Sequence, residues 1–78
     1  MREKQLLTEN DLAGLARRFR KETGKSRSEA ARDLGVSHVS IFRAEEDPEQ
    51  SLLKLRTRMI EAYSPFKVVG PVYYLERK

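Results

Sequence analysis

Apolar residues in the N-terminal part of the chain recur at the spacing of an amphipathic helix. Four of them fall at positions i, i+3, i+4 and i+7 and therefore share one helical face: Leu12, Leu15, Ala16 and Phe19. Thr8 stands three residues before Asp11, which is typical of a capping box, so we expect this first helix to begin near Glu9. Gly24 marks its expected end.

Two shorter helices are predicted between residues 26 and 46. Ser26 and Glu29 have the spacing of a capping box at the start of the second helix, and Ser37 is a suitable N-cap for the third. Gly35 stands between the two helices, where a left-handed turn costs Gly nothing sterically. Two helices joined by a short turn that contains Gly form a helix-turn-helix unit.

A fourth helix is predicted from Pro48 to about Ala62. Asp47 as N-cap, Pro48 at the first helical position and Gln50 at the third form a dense helix-start pattern. The apolar positions form a core stripe with a second apolar side: Leu52, Leu55, Met59 and Ala62, widened by Leu53, Ile60 and Tyr63. Basic residues occupy the rest of the helix: Lys54, Arg56 and Arg58.

The last part of the chain has the composition of a β tail. Ser64-Pro65 ends the helical pattern, and the residues that follow are rich in Val and Tyr. Taken as one strand, the tail is apolar on both faces: Phe66, Val68, Val72 and Tyr74 on one, and Val69, Tyr73 and Leu75 on the other. A strand of this kind needs cover on both faces.

Three arrangements would cover the tail. We favour a homodimer in which two tails pair antiparallel across a twofold axis. Its interface would comprise six residues: Val68, Val69, Val72, Tyr73, Tyr74 and Leu75. One alternative is an intramolecular hairpin at Gly70-Pro71, although Pro is disfavoured at the second position of common two-residue turns. The other is a tail that binds a different protein.

Composition excludes several classes of protein. The 78 residues suffice for one small domain, with a helical part over residues 8–63 and a β tail over residues 64–78. There is no Cys, and the single His, His38, cannot build a zinc site of the usual type. Neighbouring Ser37 and Ser40 do not aim at His38 as a nucleophile would. We therefore expect neither enzymatic activity nor a cofactor.

No apolar run in the sequence approaches the roughly 20 residues that a helix needs to cross a bilayer. The N-terminus lacks the apolar core of a signal peptide. We therefore expect a cytoplasmic protein with no membrane partner.

The charge of the chain suits an anionic partner. The net charge is +4 and the isoelectric point is near 9.7. Basic residues are densest between residues 17 and 27, where Glu22 is the one acid: Arg17, Arg18, Arg20, Lys21, Lys25 and Arg27. This run favours contact with phosphates, although a solvated helix face would carry a similar charge.

The segment from Arg27 to Glu45 resembles the lambda-repressor/Cro-like helix-turn-helix family, also called the xenobiotic-response-element type. The family pattern is roughly Q-x-x-[LA]-A-x-x-[LV]-G-V-S-x-x-x-I-x-x-[IAL]-E, and Arg27 takes its first polar position. The other matching residues are Ala30, Ala31, Leu34, Gly35, Val36, Ser37, Ile41, Ala44 and Glu45. Phe19 and Arg20 match the family's Leu-Arg pair, which implies an ion pair between Arg20 and Glu45. The similarity covers about residues 10–62.

The resemblance implies a mainly α, four-helix Cro-like domain that binds double-stranded DNA as a homodimer. Such a protein regulates transcription, most simply as a repressor, and is associated with the nucleoid when bound. The third helix, residues 38–46, would lie in the major groove. The candidate contacts are His38, Val39, Phe42 and Arg43 toward base edges, and Arg17, Lys25, Arg27, Ser28 and Ser37 toward phosphates.

Several of these predictions have alternatives. Arg43 suits guanine O6 and N7, but it could also contact a phosphate or pair with Glu46. Val39 and Phe42 offer apolar surface to thymine methyl groups, whereas Phe42 could instead pack on the second helix. The chain as a whole could be an antitoxin-like or adaptor protein whose tail binds another protein by strand addition.

Overall fold

The computed structural model describes residues 6–47, 49–70 and 73–78. That part of the chain forms four helices and two antiparallel strands: α1 (Glu9–Glu22), α2 (Arg27–Leu34), α3 (His38–Glu46), α4 (Leu53–Tyr63), β1 (Phe66–Val69) and β2 (Tyr74–Arg77). The predicted class, a helical domain followed by a β tail, is confirmed. Among the described residues, no helix is long and apolar enough to cross a membrane.

The predicted starts of the first two helices are found, and so is the turn after the second. At α1 the Asp11 carboxylate accepts a hydrogen bond from the Thr8 amide at 2.9 Å, and the Thr8 hydroxyl accepts one from the Asp11 amide at 3.1 Å. Ser26 and Glu29 form the same reciprocal pair at α2. Gly35 ends α2 with φ 68° and ψ 35°, the left-handed conformation that favours Gly.

The predicted start of the fourth helix is wrong. α4 begins at Leu53, and Asp47 is the C-cap of α3 rather than the N-cap of α4. Pro48 lies outside the described residues. The physical reason for the late start is Arg56, whose guanidinium binds the carbonyls of Asp47 and Gln50 and so holds the connecting segment as a loop.

The helices enclose one apolar core, in which α1 packs against both α4 and α3. Its buried apolar side chains are Leu12, Ala13, Ala16, Ala30, Ala31, Ile41, Ala44, Leu55, Met59 and Ile60. Two residues of α4 depart from the prediction. Ala62, predicted in the core stripe, is exposed, and Arg56, predicted on the rest of the helix surface, is completely buried.

The tail folds into a hairpin within the chain. β1 and β2 pair with Phe66 opposite Arg77 and Val69 opposite Tyr74. Leu7 extends the sheet, since its amide donates to the Tyr73 carbonyl at 2.7 Å. The hairpin alternative is therefore the one that the structure shows. The tail finds its strand partner in its own chain and does not need a second copy for it.

The hairpin changes which tail residues share a face. The prediction for one continuous strand put Val68 and Leu75 on opposite faces, and this is wrong. In the hairpin they are cross-strand partners, and both pack against the helical core together with Tyr73. Val69 and Tyr74 pair one position along and so lie on the other face. Because the chain reverses between the two strands, the faces of β2 are set by its pairing with β1 and not by counting alternate residues along one continuous strand.

Candidate nucleic-acid interface

The inner face of α3 is fixed by apolar packing. Ser37 begins the helix as its N-cap, because its hydroxyl accepts a hydrogen bond from the Ser40 amide at 3.1 Å. Ile41 and Ala44 are completely buried in the core. The opposite side of the helix therefore faces solvent.

Two large apolar side chains lie on this solvent side. Val39 is 53% exposed and Phe42 is 46% exposed. Among the described residues, Leu6 is the only other large apolar side chain that is classed as exposed. Val39 and Phe42 are three residues apart on one helix, so they form a continuous apolar patch. Such a patch favours a binding surface over a merely solvated one.

Two polar residues border the apolar patch. His38 and Arg43 are exposed, and neither side chain forms an ion pair or hydrogen bond with another described residue. The alternative pairing of Arg43 with Glu46 is not found, because the Glu46 carboxylate binds Arg27 at 2.6 Å and lies 3.5 Å from Arg17. Arg43 therefore offers its guanidinium to an external acceptor.

A buried ion pair connects α3 to the end of α1. Arg20 donates to both Glu45 oxygens, through Nε at 2.5 Å and Nη2 at 2.9 Å, and its Nη1 donates to the Lys25 carbonyl at 2.8 Å. The hydrogen bond with Glu45 raises the pKa of the Arg20 guanidinium above its ordinary value. The Arg20–Glu45 pair that the resemblance implies is thus present, and it fixes the last turn of α3 relative to α1.

Arg27, predicted to contact phosphate, is held by three groups of α3. Its Nε donates to Glu45 at 3.0 Å and its Nη2 donates to Glu46 at 2.6 Å. Its guanidinium carbon lies 4.9 Å from the centre of the Phe42 ring, which is a cation–π contact. The alternative in which Phe42 packs on the second helix is therefore partly realised, since Arg27 is the first residue of α2 and much of the ring stays exposed.

The other predicted phosphate contacts lie at the rim of the same surface. Arg17 is paired with Glu46, and the Lys25 ammonium lies 3.3 Å from the Asp33 carboxylate. Both cations are more than a third exposed, and exposed pairs of this kind contribute only about 0–1 kcal/mol. Ser28 is exposed in the first turn of α2. The sequence shows one acid, Glu22, among the basic residues 17–27. The fold adds two more carboxylates to this region, those of Asp33 from α2 and Glu46 from α3.

Arg56 supports the candidate site, and sequence reasoning missed this structural role. It is completely buried and donates to the carbonyl oxygens of Ala44 at 2.9 Å, Asp47 at 2.7 Å and Gln50 at 2.8 Å. Its Nη1 also donates to the Glu9 carboxylate at 2.8 Å. A cation at a helix C-terminus satisfies carbonyls that have no partner within the helix. Arg56 therefore fixes the C-terminal end of α3 as Arg20 fixes its inner side.

A signal for this role was present in the sequence. Arg56 stands four residues after Leu52 and four before Ile60, so it falls within the apolar stripe of the helix. A basic residue in a core stripe indicates one of two arrangements. Either its aliphatic stem covers apolar side chains while its charged end reaches solvent, or its guanidinium is buried and donates to several acceptors.

The turn before α3 is supported from α4. The Tyr63 hydroxyl donates to Asp33 at 2.8 Å, and Arg58 Nη2 donates to the Leu34 carbonyl at the end of α2. Burial, together with the hydrogen bond to Asp33, raises the pKa of Tyr63 to about 12. Hydrogen bonds from Tyr63 and Lys25 lower the pKa of Asp33 below its ordinary value. The phenol and the carboxylate thus hold the C-terminal half of α2 on α4.

The residues predicted as a dimer interface are divided between two faces. Three of them pack against the protein's own core: Val68, Tyr73 and Leu75. Val69 and Tyr74 form a half-buried pair on the outer face of the hairpin. Val72 lies outside the described residues.

The described residues contain no group of three His, Cys, Asp or Glu side chains that could hold a metal ion. Comparisons of the chain with protein-family models, with curated proteins and with solved structures gave no match. The candidate interface is therefore defined by the geometry of α3 and the residues around it.

Proposed function

We propose that this protein binds double-stranded DNA in a sequence-specific manner, with α3 in the major groove, as a helix-turn-helix protein of the lambda-repressor/Cro-like class. The observation that carries the proposal is the exposed side of α3. It presents Val39, Phe42 and Arg43 together, and the Arg43 side chain has no partner among the described residues. Buried arginines hold the helix from two sides. A rigid helix with an outward cation and apolar groups suits the donor, acceptor and methyl pattern of the groove.

The surrounding residues suit the DNA backbone. Ser28 and Ser37 lie near the N-termini of α2 and α3, where backbone amides and hydroxyls favour phosphates. Arg17, Lys25 and Arg27 are paired with carboxylates at or near the surface. Exchange of those carboxylates for phosphates would place the cations on the backbone on either side of the groove.

The proposal includes a homodimer that acts as a transcriptional regulator, most simply by blocking polymerase from a near-palindromic operator. Two copies related by a twofold axis would present their α3 helices roughly 34–36 Å apart, which is one turn of DNA. In the hairpin, Val69 lies on the outer face, opposite the face that packs on the helical core, and this face is where we place the dimer contact. The protein would then act in the cytoplasm, on the nucleoid.

Binding of another protein by strand addition is less well supported. The outward amide of Val68 donates to the Glu61 carboxylate at 3.2 Å, and that of Phe66 donates to the Ser64 hydroxyl at 3.1 Å. The free edge of β1 is therefore occupied by the protein's own side chains, and a partner strand would have to displace them.

The experiment is selection of bound duplexes from a random DNA pool at about 0.15 M salt. Enrichment of a pseudo-palindrome supports both the reading helix and the dimer. A single half-site supports the reading helix and contradicts the dimer. No enrichment, with binding that disappears as salt is raised, contradicts sequence-specific recognition and leaves only phosphate attraction.

A further inference from the structure

We propose that the exposed side of α3 recognises the 5-methyl group of a pyrimidine that lies beside a guanine in the major groove. This inference rests on the proposed function and names the base chemistry that the helix selects. Thymine and 5-methylcytosine both carry this methyl group, and the experiment below distinguishes them.

The exposed side of α3 carries an apolar patch. Val39 and Phe42 are adjacent on the helix and about half exposed, although most large apolar side chains of the described residues are at least partly buried. The edges of bases in the major groove carry hydrogen-bonding groups and one kind of apolar group, the pyrimidine 5-methyl. A helix in that groove can therefore bury this patch well only where such a methyl group is present.

Phe42 is held in a fixed position. The Arg27 guanidinium stacks on its ring at 4.9 Å, and Arg27 is itself held by Glu45 and Glu46. The ring therefore has a defined position beside the start of α2 and does not fold into the core. A preorganised apolar contact loses little conformational freedom on binding.

A cation lies next to the apolar patch. Arg43 follows Phe42 directly and lies one helical turn after Val39, and its side chain is exposed without a partner among the described residues. The guanidinium fork matches guanine O6 and N7. One helical turn advances about 5.4 Å, roughly one to two base-pair steps. The methyl group and the guanine should therefore lie within two steps of each other.

The experiment measures binding of the full chain to its selected site by fluorescence anisotropy at about 0.15 M salt. Each thymine is replaced in turn by uracil, which removes only the methyl group. At the sensitive position, duplexes with T·A, U·A, C·G and 5-methyl-C·G pairs are then compared. Burial of one methyl-sized group predicts about a fourfold loss on its removal, confined to one or two positions in each half-site.

The four duplexes distinguish the source of the methyl group. A thymine reader binds T·A more tightly than all three other pairs, including 5-methyl-C·G. A 5-methylcytosine reader binds 5-methyl-C·G more tightly than all three other pairs. Either result supports the proposal.

Two variants test the residues, and a third is the matched control. Val39→Ala and Phe42→Ala should reduce the methyl-dependent ratio to nearly one, and circular dichroism should show that both still fold because both sites are exposed. Arg43→Ala should weaken these four duplexes by a similar factor, because all of them keep the guanine, and the methyl-dependent ratio should stay unchanged.

The proposal is overturned if a defined site is selected but methyl removal changes affinity less than about 1.5-fold at every position, well below the change expected for one buried methyl group. That result leaves the proposed function intact. Selection of no site at all contradicts the proposed function and this inference together.

Discussion

Arg56 and Arg27 both hold α3, but with different kinds of partner. Arg56 is completely buried, and three of its acceptors are backbone carbonyls at and beyond the end of α3. Arg27 is a quarter exposed, and its partners are two carboxylates and an aromatic ring. The same residue type thus contacts the backbone at one place on the helix and side chains at another.

The kind of partner distinguishes a structural arginine, Arg56, from Arg27, which is placed to take part in binding. The bond between Arg56 and the Ala44 carbonyl is buried, so neither group has a substitute partner within the fold. An exposed carboxylate such as that of Glu46, in contrast, can be replaced as the partner of Arg27 by another anion that approaches the surface. In the proposed complex, Arg27 can exchange the Glu46 carboxylate for a phosphate while its bond to the buried Glu45 holds it in place.

The largest expected effect is that of removing Arg56. Arg56→Ala leaves three carbonyls and the Glu9 carboxylate without their donor, so we expect the free energy of unfolding to fall by about 3–5 kcal/mol. Urea denaturation measures this change, and Arg56→Lys should recover only part of it. Arg58→Ala is the matched control, since it removes one exposed hydrogen bond and should cost less than about 1 kcal/mol. Equal effects of the two alanine variants would contradict the structural role.

Arg20→Ala should have the next largest effect. Glu45 stays buried, but it keeps the hydrogen bond from Arg27, so the expected cost is about 2–3 kcal/mol rather than that of a fully unpaired charge. Thermal unfolding measures the loss. The base preference of the remaining folded protein should not change. An unchanged Tm would contradict the buried pair.

Glu46→Gln tests whether the rim arginines can be released. The substitution removes the carboxylate that pairs with Arg17 and Arg27, so we expect non-specific DNA affinity to rise about three- to tenfold and the salt dependence to steepen. Glu49→Gln changes the net charge equally at an exposed position for which no contact is found among the described residues, and it serves as the control. If the two variants bind DNA with equal affinity, the increase is due to net charge alone. The proposal that Arg17 and Arg27 exchange Glu46 for phosphates would then be wrong.

Tyr63→Phe should have the smallest effect, and one that depends on pH. The pKa of Asp33 is lowered in the fold, so its contribution is present above the ordinary Asp pKa and is lost as the pH falls through the lowered value. The pKa of Tyr63 is raised to about 12, so the phenol contributes below its ordinary pKa and loses its effect as the pH rises through about 12.

The difference in Tm between wild type and Tyr63→Phe should therefore be a few degrees and constant across neutral pH. It should shrink below about pH 4 and again in strong alkali. A difference that does not vary with pH would show that the hydrogen bond between Tyr63 and Asp33 has no part in stability.

Sequence reasoning succeeded where structure is set by nearby residues. The two capping boxes, the left-handed turn at Gly35 and the inner face of α3 each depend on a few neighbouring positions. It failed where distant residues decide. The Asp-Pro pattern at Asp47 has good local helix-start chemistry, but the donors of Arg56 keep that segment in a loop.

The candidate site shows the same limit. The exposed residues of α3 could be named from helical spacing, because one buried face defines the other. The partners of Arg27 could not be named, since Glu46 and the Phe42 ring approach it only through the packing of α2 and α3. The faces of the tail were missed because a hairpin and a single strand give different alternation from the same residues.

The measurement that tests the central claim most directly is a repeat of the DNA selection with Arg43→Ala beside the wild type. If α3 reads base edges, the variant should lose preference for guanine at one position in each half-site, at a cost of about 1–3 kcal/mol on the wild-type site, and keep its preferences elsewhere. If the variant selects the same sequence and binds every duplex more weakly by one factor, Arg43 contacts only phosphate. The account of α3 as the reading helix would then be contradicted.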